Sequence, residues 1–341
     1  MKKIICLLTC VSLCNISSAQ SKYKIANKIK VEGDGGWDYL IADEPNDRLF
    51  IAHATVVQVL DTKKNTLVGT IPDTKGVHGI ALAHDLNKGF ISNGKDTSVT
   101  VFDLKTLKTI SKVKIKGINP DAILYDAFSH KVFVYNGRSK DATIIDAKTD
   151  LVIATIPLEG KPEFSVTDLA GKIYVNIEDK NLITVINANT LKVEENWPIT
   201  GGEEPTGLAI DNKTHRLFTV CGNKLMVVMD ATNGKVIASL PIGDGCDGVD
   251  FDTELKRAYS SNGEGNVTVV QEENENTFKV LETITTQKGA RTICVNLKTH
   301  YVYLPTAEYE DMPQIAKDAP KARPKAKAGS FTIIEIEPVK K

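Results

Sequence analysis

Hydrophobic and polar residues alternate along the chain in short runs that are rich in valine, isoleucine, threonine and tyrosine. An alternation with a period of two residues predicts β-strands, and glycine, asparagine, aspartate and proline separate the runs as turn residues do. The run FISNGKDTSVTVFDLKT at 90–106 returns 43 residues later as FVYNGRSKDATIIDAKT at 133–149. The chain therefore contains an internal repeat of short strands, and no segment after the first 19 residues shows a helical period.

The repeat recurs seven times, and each copy begins with a strand that follows a turn. These first strands are WDYLIAD, VHGIALA, PDAILYD, EFSVTDL, PTGLAID, CDGVDFD and ARTICVN, which we align on Asp38, His78, Asp121, Phe164, Thr206, Asp247 and Arg291. Successive copies are 40 to 44 residues apart. Four strands in about 42 residues, seven times over, predict an all-β, seven-bladed β-propeller with four antiparallel strands in each blade.

The two ends of the chain supply the last blade. The seventh copy lacks a fourth strand, whereas KIANKIKVEG near the N-terminus has the fourth-strand pattern, so we expect this segment to close the ring. Closure of this kind removes an exposed sheet edge. Asp-x-x-Thr after the third strand predicts a turn in which short side chains bond their own backbone. We expect residues 20–341 to form a single propeller domain, with an insert loop at about 310–329 in blade 7.

Residues 1–19 have the pattern of a signal peptide. Two lysines precede an apolar run at 4–13, and the small residues SSA end at Ala19, where we expect cleavage. The apolar run is too short to span a bilayer. Lipidation at Cys10 or Cys14 is a less favoured alternative because their preceding residues suit that processing poorly. We therefore expect a protein without a membrane span that is periplasmic or secreted.

The charge balance disfavours nucleic acid as a partner. Without residues 1–19 the chain has 40 basic and 43 acidic residues, so it lacks the excess of positive charge that phosphate backbones attract. Three cysteines remain in this part: Cys221, Cys246 and Cys294. Three cysteines are too few, and an uneven number, for a framework of disulfide bonds. Cys221 and Cys246 are predicted near one another, as two free thiols or as one disulfide, and Cys294 is predicted in the core.

The repeats resemble those of a known family. GVHGIALA, NPDAILYD, NGRSKDATIIDA, GKPEF, EEPTGLAID, NKLMVVMDA, SNGEGNVTV and KGARTICVN, together with a Pro- and Lys-rich insert before GSFTIIEIE, are similar to the YncE-like, YVTN-repeat seven-bladed propellers of bacterial envelopes. The resemblance covers essentially all of residues 20–341. It implies an extracytoplasmic propeller with no settled enzymatic activity. Some relatives are linked to nucleic-acid binding, and more distant propellers form domains of copper- and quinone-dependent redox enzymes.

Strand alternation places many polar residues at one end of the central channel. The first strand begins where the antiparallel second strand ends, so both sets of residues are predicted to surround the same mouth, where propellers bind ligands. Asparagine also suits the turns here, so solvation and backbone geometry are alternative explanations. The candidate ligand-binding residues are Asp38, His53, His78, Asn93, Asp121, Asn136, Glu163, Glu204, Asp247, Asn262 and Arg291.

Two histidines belong to this mouth. His53 and His78 are predicted on neighbouring blades, with Asp38 as the cross-strand partner of His53. Two imidazoles and a carboxylate could hold a transition metal or act as acid and base. No metal-ligand spacing enforces such a site, so we expect no cofactor. If the protein does bind a divalent metal, His53, His78 and Asp38 are its candidate ligands. The other four histidines, His84, His130, His215 and His300, are predicted in hairpins on the opposite face.

The insert in blade 7 is predicted to rise from the same mouth. Its proline, alanine and lysine content predicts an extended segment that is either simply solvated or covers the mouth. In the second case its basic residues would draw anions towards Arg291 and Lys288. These basic residues are Lys321, Arg323, Lys325 and Lys327.

The sequence predicts a monomeric binding scaffold in preference to an enzyme. No nucleophile elbow is present, and no histidine is predicted beside Cys221. The partner would be a small polar ligand or an envelope protein bound at the mouth. The alternative is a metal-dependent enzyme or redox component that uses His53, His78 and Asp38. A lactonase-like hydrolase would need clustered carboxylate and amide ligands around one divalent ion, for which the residue types are present without a recognisable spacing.

Overall fold

A computed structural model describes residues 21–310 and 325–339. Within these residues the strands form seven sheets of four antiparallel strands each, in the order expected for a propeller. Three short 3-10 turns, Glu44–Asn46, His84–Leu86 and Glu178–Lys180, are the helical elements of the described part. The prediction of a seven-bladed, all-β propeller is confirmed.

Each of the first six blades is one continuous stretch of chain. Blade 1 contains β2 (Trp37–Asp43), β3 (Arg48–His53), β4 (Val56–Asp61) and β5 (Thr66–Ile71); blade 2 contains β6 (Val77–Ala83), β7 (Lys88–Asn93), β8 (Ser98–Asp103) and β9 (Thr109–Lys114). Blade 3 contains β10 (Pro120–Asp126), β11 (Lys131–Asn136), β12 (Asp141–Asp146) and β13 (Leu151–Pro157); blade 4 contains β14 (Pro162–Thr167), β15 (Lys172–Ile177), β16 (Leu182–Asn187) and β17 (Lys192–Pro198). Blade 5 contains β18 (Pro205–Asp211), β19 (Arg216–Cys221), β20 (Leu225–Asp230) and β21 (Val236–Pro241); blade 6 contains β22 (Cys246–Asp252), β23 (Arg257–Asn262), β24 (Asn266–Asn274) and β25 (Thr277–Thr285).

Blade 7 joins the two ends of the chain. It consists of β26 (Cys294–Asn296), β27 (Tyr301–Thr306) and β28 (Thr332–Pro338), and its outer strand is β1 (Tyr23–Lys30). β1 pairs with β28 along its length, from Tyr23 opposite Pro338 to Lys30 opposite Thr332. The N-terminal strand therefore closes the ring, as the sequence predicts.

The hydrophobic core is divided among the seven interfaces between adjacent blades. One cluster of buried side chains lies at each interface. The third residue of every second strand is an aromatic that is at most 2% exposed, and each cluster contains one of these rings: Phe50, Phe90, Phe133, Tyr174, Phe218, Tyr259 and Tyr303. Burial of one large aromatic side chain per interface stabilises the contact between neighbouring blades, by about 25 cal/mol per Å² of apolar surface. These contacts fix the circle of blades that surrounds the channel.

The Asp-x-x-Thr repeat forms the predicted turn. Asp103 Oδ1 accepts hydrogen bonds from the backbone N–H and the hydroxyl of Thr106, at 2.7 and 2.9 Å. Asp146 receives the same pair of bonds from Thr149. The repeated motif is therefore a structural feature of the link between third and fourth strands.

The described residues contain no helix of the length and hydropathy that a bilayer-spanning segment needs. Residues 1–19, for which a signal peptide is predicted, lie outside the described part of the chain.

Candidate functional site

One position of the inner strand supplies the charged residues of the mouth. The second residue of the inner strand is Asp38, His78, Asp121, Glu163, Thr206 or Asp247 in blades 1 to 6, and Arg291 comes shortly before β26 in blade 7. In each of the first six blades the residue just before this position pairs with the last residue of the second strand, as in Val77 opposite Asn93. A register shift follows at once in all six inner strands. We call the end of the channel formed by these seven residues the mouth.

Four of the mouth residues form a chain of ion pairs from blade 6 to blade 2. Arg291 bonds to Asp247 and donates to the backbone carbonyl of Trp37 at 3.2 Å, with its guanidinium 3.5 Å from Asp38 Oδ1. The other oxygen of Asp38, Oδ2, lies 2.5 Å from His78 Nδ1. Burial lowers the pKa of His78, but the bond to Asp38 and the charge of Asp121 outweigh it, so the pKa is raised. These groups therefore stabilise the protonated form of His78 relative to that of a free histidine, and in that form Nδ1 donates to Asp38.

The alternation of charge breaks between blades 3 and 4, where Asp121 and Glu163 occupy neighbouring positions. Asp121 Oδ1 is 3.6 Å from His78 Nδ1, and Glu163 bonds to Lys161 at 2.6 Å. Burial raises the pKa of Asp121 to about 6, with a contribution from the charge of Asp38. Burial and the charge of Asp121 raise the pKa of Glu163 to about 7. The two carboxyls therefore share a part of the mouth in which negative charge is unfavourable.

Lys161 forms ion pairs with two carboxylates. It contacts Glu178 as well as Glu163. Burial lowers the pKa of Lys161, but its bonds to Glu163 and Glu178 outweigh this and raise it. Together with Lys161 and Glu178, the seven mouth residues supply five carboxyl groups and the three basic groups of Arg291, His78 and Lys161, so this set has an excess of acidic groups.

Two aromatic rings lie directly below the charged residues. Tyr39 of blade 1 and Phe164 of blade 4 approach each other with ring centroids 5.2 Å apart. Burial and the charges of Asp121, Glu163 and Asp38 raise the pKa of Tyr39 well above its ordinary value. The equivalent positions in blades 2, 5 and 6 are the glycines Gly79, Gly207 and Gly248. Two large rings therefore meet across the channel at a position where blades 2, 5 and 6 have glycine and blade 3 has Ala122.

Below these rings the channel is lined mainly by apolar side chains. It contains a cavity of about 400 Å³ with Leu82, Leu124, Val166 and Ile210 among its lining residues. The charged mouth therefore lies above a mainly apolar stretch of the channel.

Four residues predicted at the mouth lie inside their blades. His53, Asn93, Asn136 and Asn262 end the second strands of their blades and are at most 1% exposed. Their side chains bond to the third residue of the neighbouring third strand, for example Asn93 Nδ2 to Thr100 Oγ1 at 2.9 Å; the partners in the other blades are Gln58, Thr143 and Thr268. The expectation that these side chains face the channel is wrong, because the last residue of the second strand is turned towards the third strand.

The predicted pairing of His53 with Asp38 is also wrong. His53 lies opposite Trp37 in the strand register, its Nδ1 is 2.8 Å from Gln58 Oε1, and its ring stacks on Phe331 at 3.9 Å. Burial lowers its pKa. Asp38 reaches across to the next blade instead, so the histidine that it contacts is His78.

Blade 4 is displaced by one residue from the alignment made on the sequence. Pro162 pairs with Ile177 as Pro205 pairs with Cys221 in blade 5, so Glu163 is the equivalent of Thr206. Phe164 then takes the position below the mouth. Glu204 lies one residue before Pro205, is exposed, and does not belong to the cluster around Asp121.

The base of the blade 7 insert contacts the mouth. Tyr309 and Ala326 form an isolated antiparallel bridge. The described residues on either side, together with 33–37, Arg291 and Phe331, surround a second cavity of about 620 Å³. Lys325 and Lys327 pair with Glu310 and Glu308 at 3.0 and 3.4 Å. Since Arg291 is paired as well, the structure offers little support for an anion site here; Lys321 and Arg323 lie outside the described residues.

The side chains of the remaining histidines and of the cysteines do not line the mouth. His84, His130, His215 and His300 lie at the links between first and second strands, at the opposite end of the channel, as predicted. Cys221, Cys246 and Cys294 are free and buried. The thiol of Cys246 donates to the carbonyl of Cys221 at 3.1 Å, and burial raises the pKa of each of these two thiols to about 12.

Two residues of the site were not predicted. Lys161 precedes its strand in the segment GKPEF, and a basic residue two positions before a mouth carboxylate was the available signal. Tyr39 follows Asp38 directly, and its size was a signal as well, because three other repeats have glycine and one has alanine at the equivalent position.

Comparison with known proteins identifies the architecture. No protein-family model and no curated protein matches the chain. Among solved structures, a chain of Kuenenia stuttgartiensis hydrazine synthase superposes with a TM-score of 0.67 at 16% identity, over 85% of this chain and 95% of that chain. The protein has the seven-bladed β-propeller fold. At this identity the likeness shows the fold alone.

Proposed function

We propose that the protein is an extracytoplasmic binding scaffold of the YncE-like, YVTN-repeat type that takes up a small cationic ligand at the mouth. The observation that carries this proposal is the break in the charge alternation at Asp121 and Glu163. A positive group of a ligand placed between these two carboxylates would complete the alternating sequence that runs from Asp247 to Asp121.

The electrostatics support a cation over an anion. The basic groups of the mouth are already paired: Arg291 with Asp247 and Asp38, His78 with Asp38, and Lys161 with Glu163 and Glu178. An anion would have to displace one of these pairs, whereas a cation would offset carboxylate charge that burial makes costly. The rigid ring of blades fixes these groups before a ligand arrives, which reduces the entropy lost on binding.

A thermal-shift screen tests the proposal. The purified protein is heated with small amines, guanidines and divalent chlorides, and with carboxylates, phosphates and neutral sugars at equal ionic strength. We expect one or more cations to raise the melting temperature, and we expect the double variant Asp121→Asn/Glu163→Gln to lose this effect. Stabilisation by anions or sugars alone, or equal stabilisation of the double variant by the cation, would overturn the proposal.

A metal-dependent enzyme or redox component is the second candidate, and the grouping of Asp38, His78 and Asp121 favours it. With His53 buried in blade 1, such a centre would use Asp121 in its place. An activity on ester or lactone substrates that requires a divalent ion and is lost in His78→Ala would support this candidate.

A further inference from the structure

We propose that Asp38, His78 and Asp121 bind a single divalent transition-metal ion at the mouth. The inference rests on the proposed function, because it uses the same mouth and the carboxylate of Asp121, and it places a metal ion on the His78 side of that carboxylate. The three residues occupy the same position of the inner strand in three consecutive blades, β2, β6 and β10. One ligand atom of each lies within 4.8 Å of the other two.

The distances between the donor atoms suit an ion of this kind. Metal bonds to nitrogen and oxygen of about 2.0–2.2 Å place neighbouring donors of a tetrahedral site roughly 3.4 Å apart. His78 Nδ1 is 2.5 Å from Asp38 Oδ2 and 3.6 Å from Asp121 Oδ1. One separation must widen by less than about 1 Å and the other is already close to the required value, while the separation between the two carboxylates is at most 4.8 Å.

The supporting contacts hold the backbones of two of the three ligands. Thr292 Oγ1 donates to the carbonyl of Asp38 at 2.7 Å, and Ser92 Oγ donates to the carbonyl of Asp121. Arg291 lies 3.5 Å from Asp38 Oδ1, the oxygen that does not contact His78. A contact of the kind that Arg291 makes, to the second oxygen of a ligating carboxylate, orients a metal ligand and limits its movement.

The donor set indicates the class of ion. One imidazole nitrogen and two carboxylates suit Zn²⁺, Fe²⁺, Mn²⁺ or Co²⁺, whereas Ca²⁺ and Mg²⁺ favour oxygen ligands throughout. Two carboxylates also match the charge of a divalent ion. On binding, the ion takes the place of the proton between His78 and Asp38, and that proton leaves to solvent. The three side chains are 14 to 28% exposed, so a fourth ligand position would open to the mouth.

His300 provides a matched control at the other end of the channel. Its Nδ1 bonds to Asp252 Oδ2 at 2.7 Å, which reproduces the His78–Asp38 contact. Its second carboxylate, that of Glu254, faces the other ring nitrogen at 3.5 Å. Since the two carboxylates flank different nitrogens, His300 has an aspartate partner without the three-donor arrangement.

The test is a titration of the chelator-treated, untagged protein with Co²⁺, followed by its visible absorption and by calorimetry. We expect one equivalent to bind, with no binding at this site in His78→Gln and at least about tenfold weaker binding in Asp121→Asn. The variant His300→Gln should bind as the wild type does. Melting curves recorded without metal establish that each variant is folded.

The failures of the two proposals give different results. If Co²⁺ and Zn²⁺ do not bind, or bind equally to His78→Gln, the metal site is overturned. If organic amines then stabilise the wild type and not the Asp121→Asn/Glu163→Gln variant, the cation-binding scaffold stands without the metal. If neither metals nor amines act through these residues, both proposals are overturned.

Discussion

Replacement of Glu163 by glutamine should change how the stability of the metal-free protein depends on pH. Glu163 is 7% exposed and lies near Asp121, and its pKa is raised from 4.5 to about 7. This difference corresponds to about 3 kcal/mol of unfavourable ionisation in the folded state. The figure is an upper value, because removal of Glu163 also takes one partner from Lys161, which keeps Glu178.

The sign follows from the direction of the pKa change. In the unfolded chain the carboxyl ionises near pH 4.5, whereas in the folded protein it keeps its proton to about pH 7. The stability that this group contributes is therefore complete below about pH 4.5 and is lost as the pH rises through 7. Glutamine does not ionise, so this part of the pH dependence should disappear in the variant.

The assay is the free energy of unfolding in urea, or the melting temperature, measured at pH 5 and at pH 8.5. We expect Glu163→Gln to gain up to about 3 kcal/mol over the wild type between these pH values, a melting temperature difference of roughly 5 °C. Glu204→Gln, at an exposed position near the same mouth, serves as the control. Parallel pH curves for the wild type and Glu163→Gln would refute the reasoning.

Three further predictions concern the closure of the ring, the blade interior and the thiols. Tyr23→Phe removes a hydroxyl that lies 2.8 Å from the hydroxyl of Tyr259. The variant should lower the free energy of unfolding, measured in urea titrations, by about 1–3 kcal/mol and leave cation binding unchanged. A loss of cation binding would contradict this prediction. Asn136→Ala should cost about 2 kcal/mol by the same measurement and leave Co²⁺ affinity within twofold, since its amide bonds inside blade 3; a tenfold weaker affinity would return Asn136 to the site. Cys221 and Cys246 should react with iodoacetamide only after unfolding, because both are buried and the pKa of each thiol is raised to about 12. Mass spectrometry follows the labelling. Rapid labelling of the native protein would contradict this prediction and show that blades 5 and 6 open.

The fold could be predicted because the information is repeated seven times. Each copy shows the same alternation and an aromatic residue at the same place in its second strand, and the unpaired strand at one end matches the missing strand at the other. The polar residues at the start of the inner strands could also be assigned to one end of the channel, since antiparallel pairing fixes which ends meet.

The contacts between side chains could not be predicted in the same way. Asp38 contacts His78 of the next blade, and not His53 of its own, because the approach of neighbouring blades depends on how the cores between them pack. The prediction placed Asn136 at the mouth because the second strand of blade 3 ends there. The side chain of this last residue points instead to Thr143, inside the blade. The register of Glu163 was missed because the strand of blade 4 begins one residue earlier than its hydrophobic pattern suggests.

The most direct test of a metal ion at the mouth is anomalous diffraction from crystals of the protein grown with one equivalent of Co²⁺, recorded on both sides of the cobalt absorption edge. The account predicts one strong peak among Asp38 Oδ2, His78 Nδ1 and Asp121 Oδ1, with metal bonds of about 2.0–2.2 Å. An anomalous map with its peaks elsewhere on the protein, and with His78 still bonded to Asp38 in an empty mouth, would contradict it.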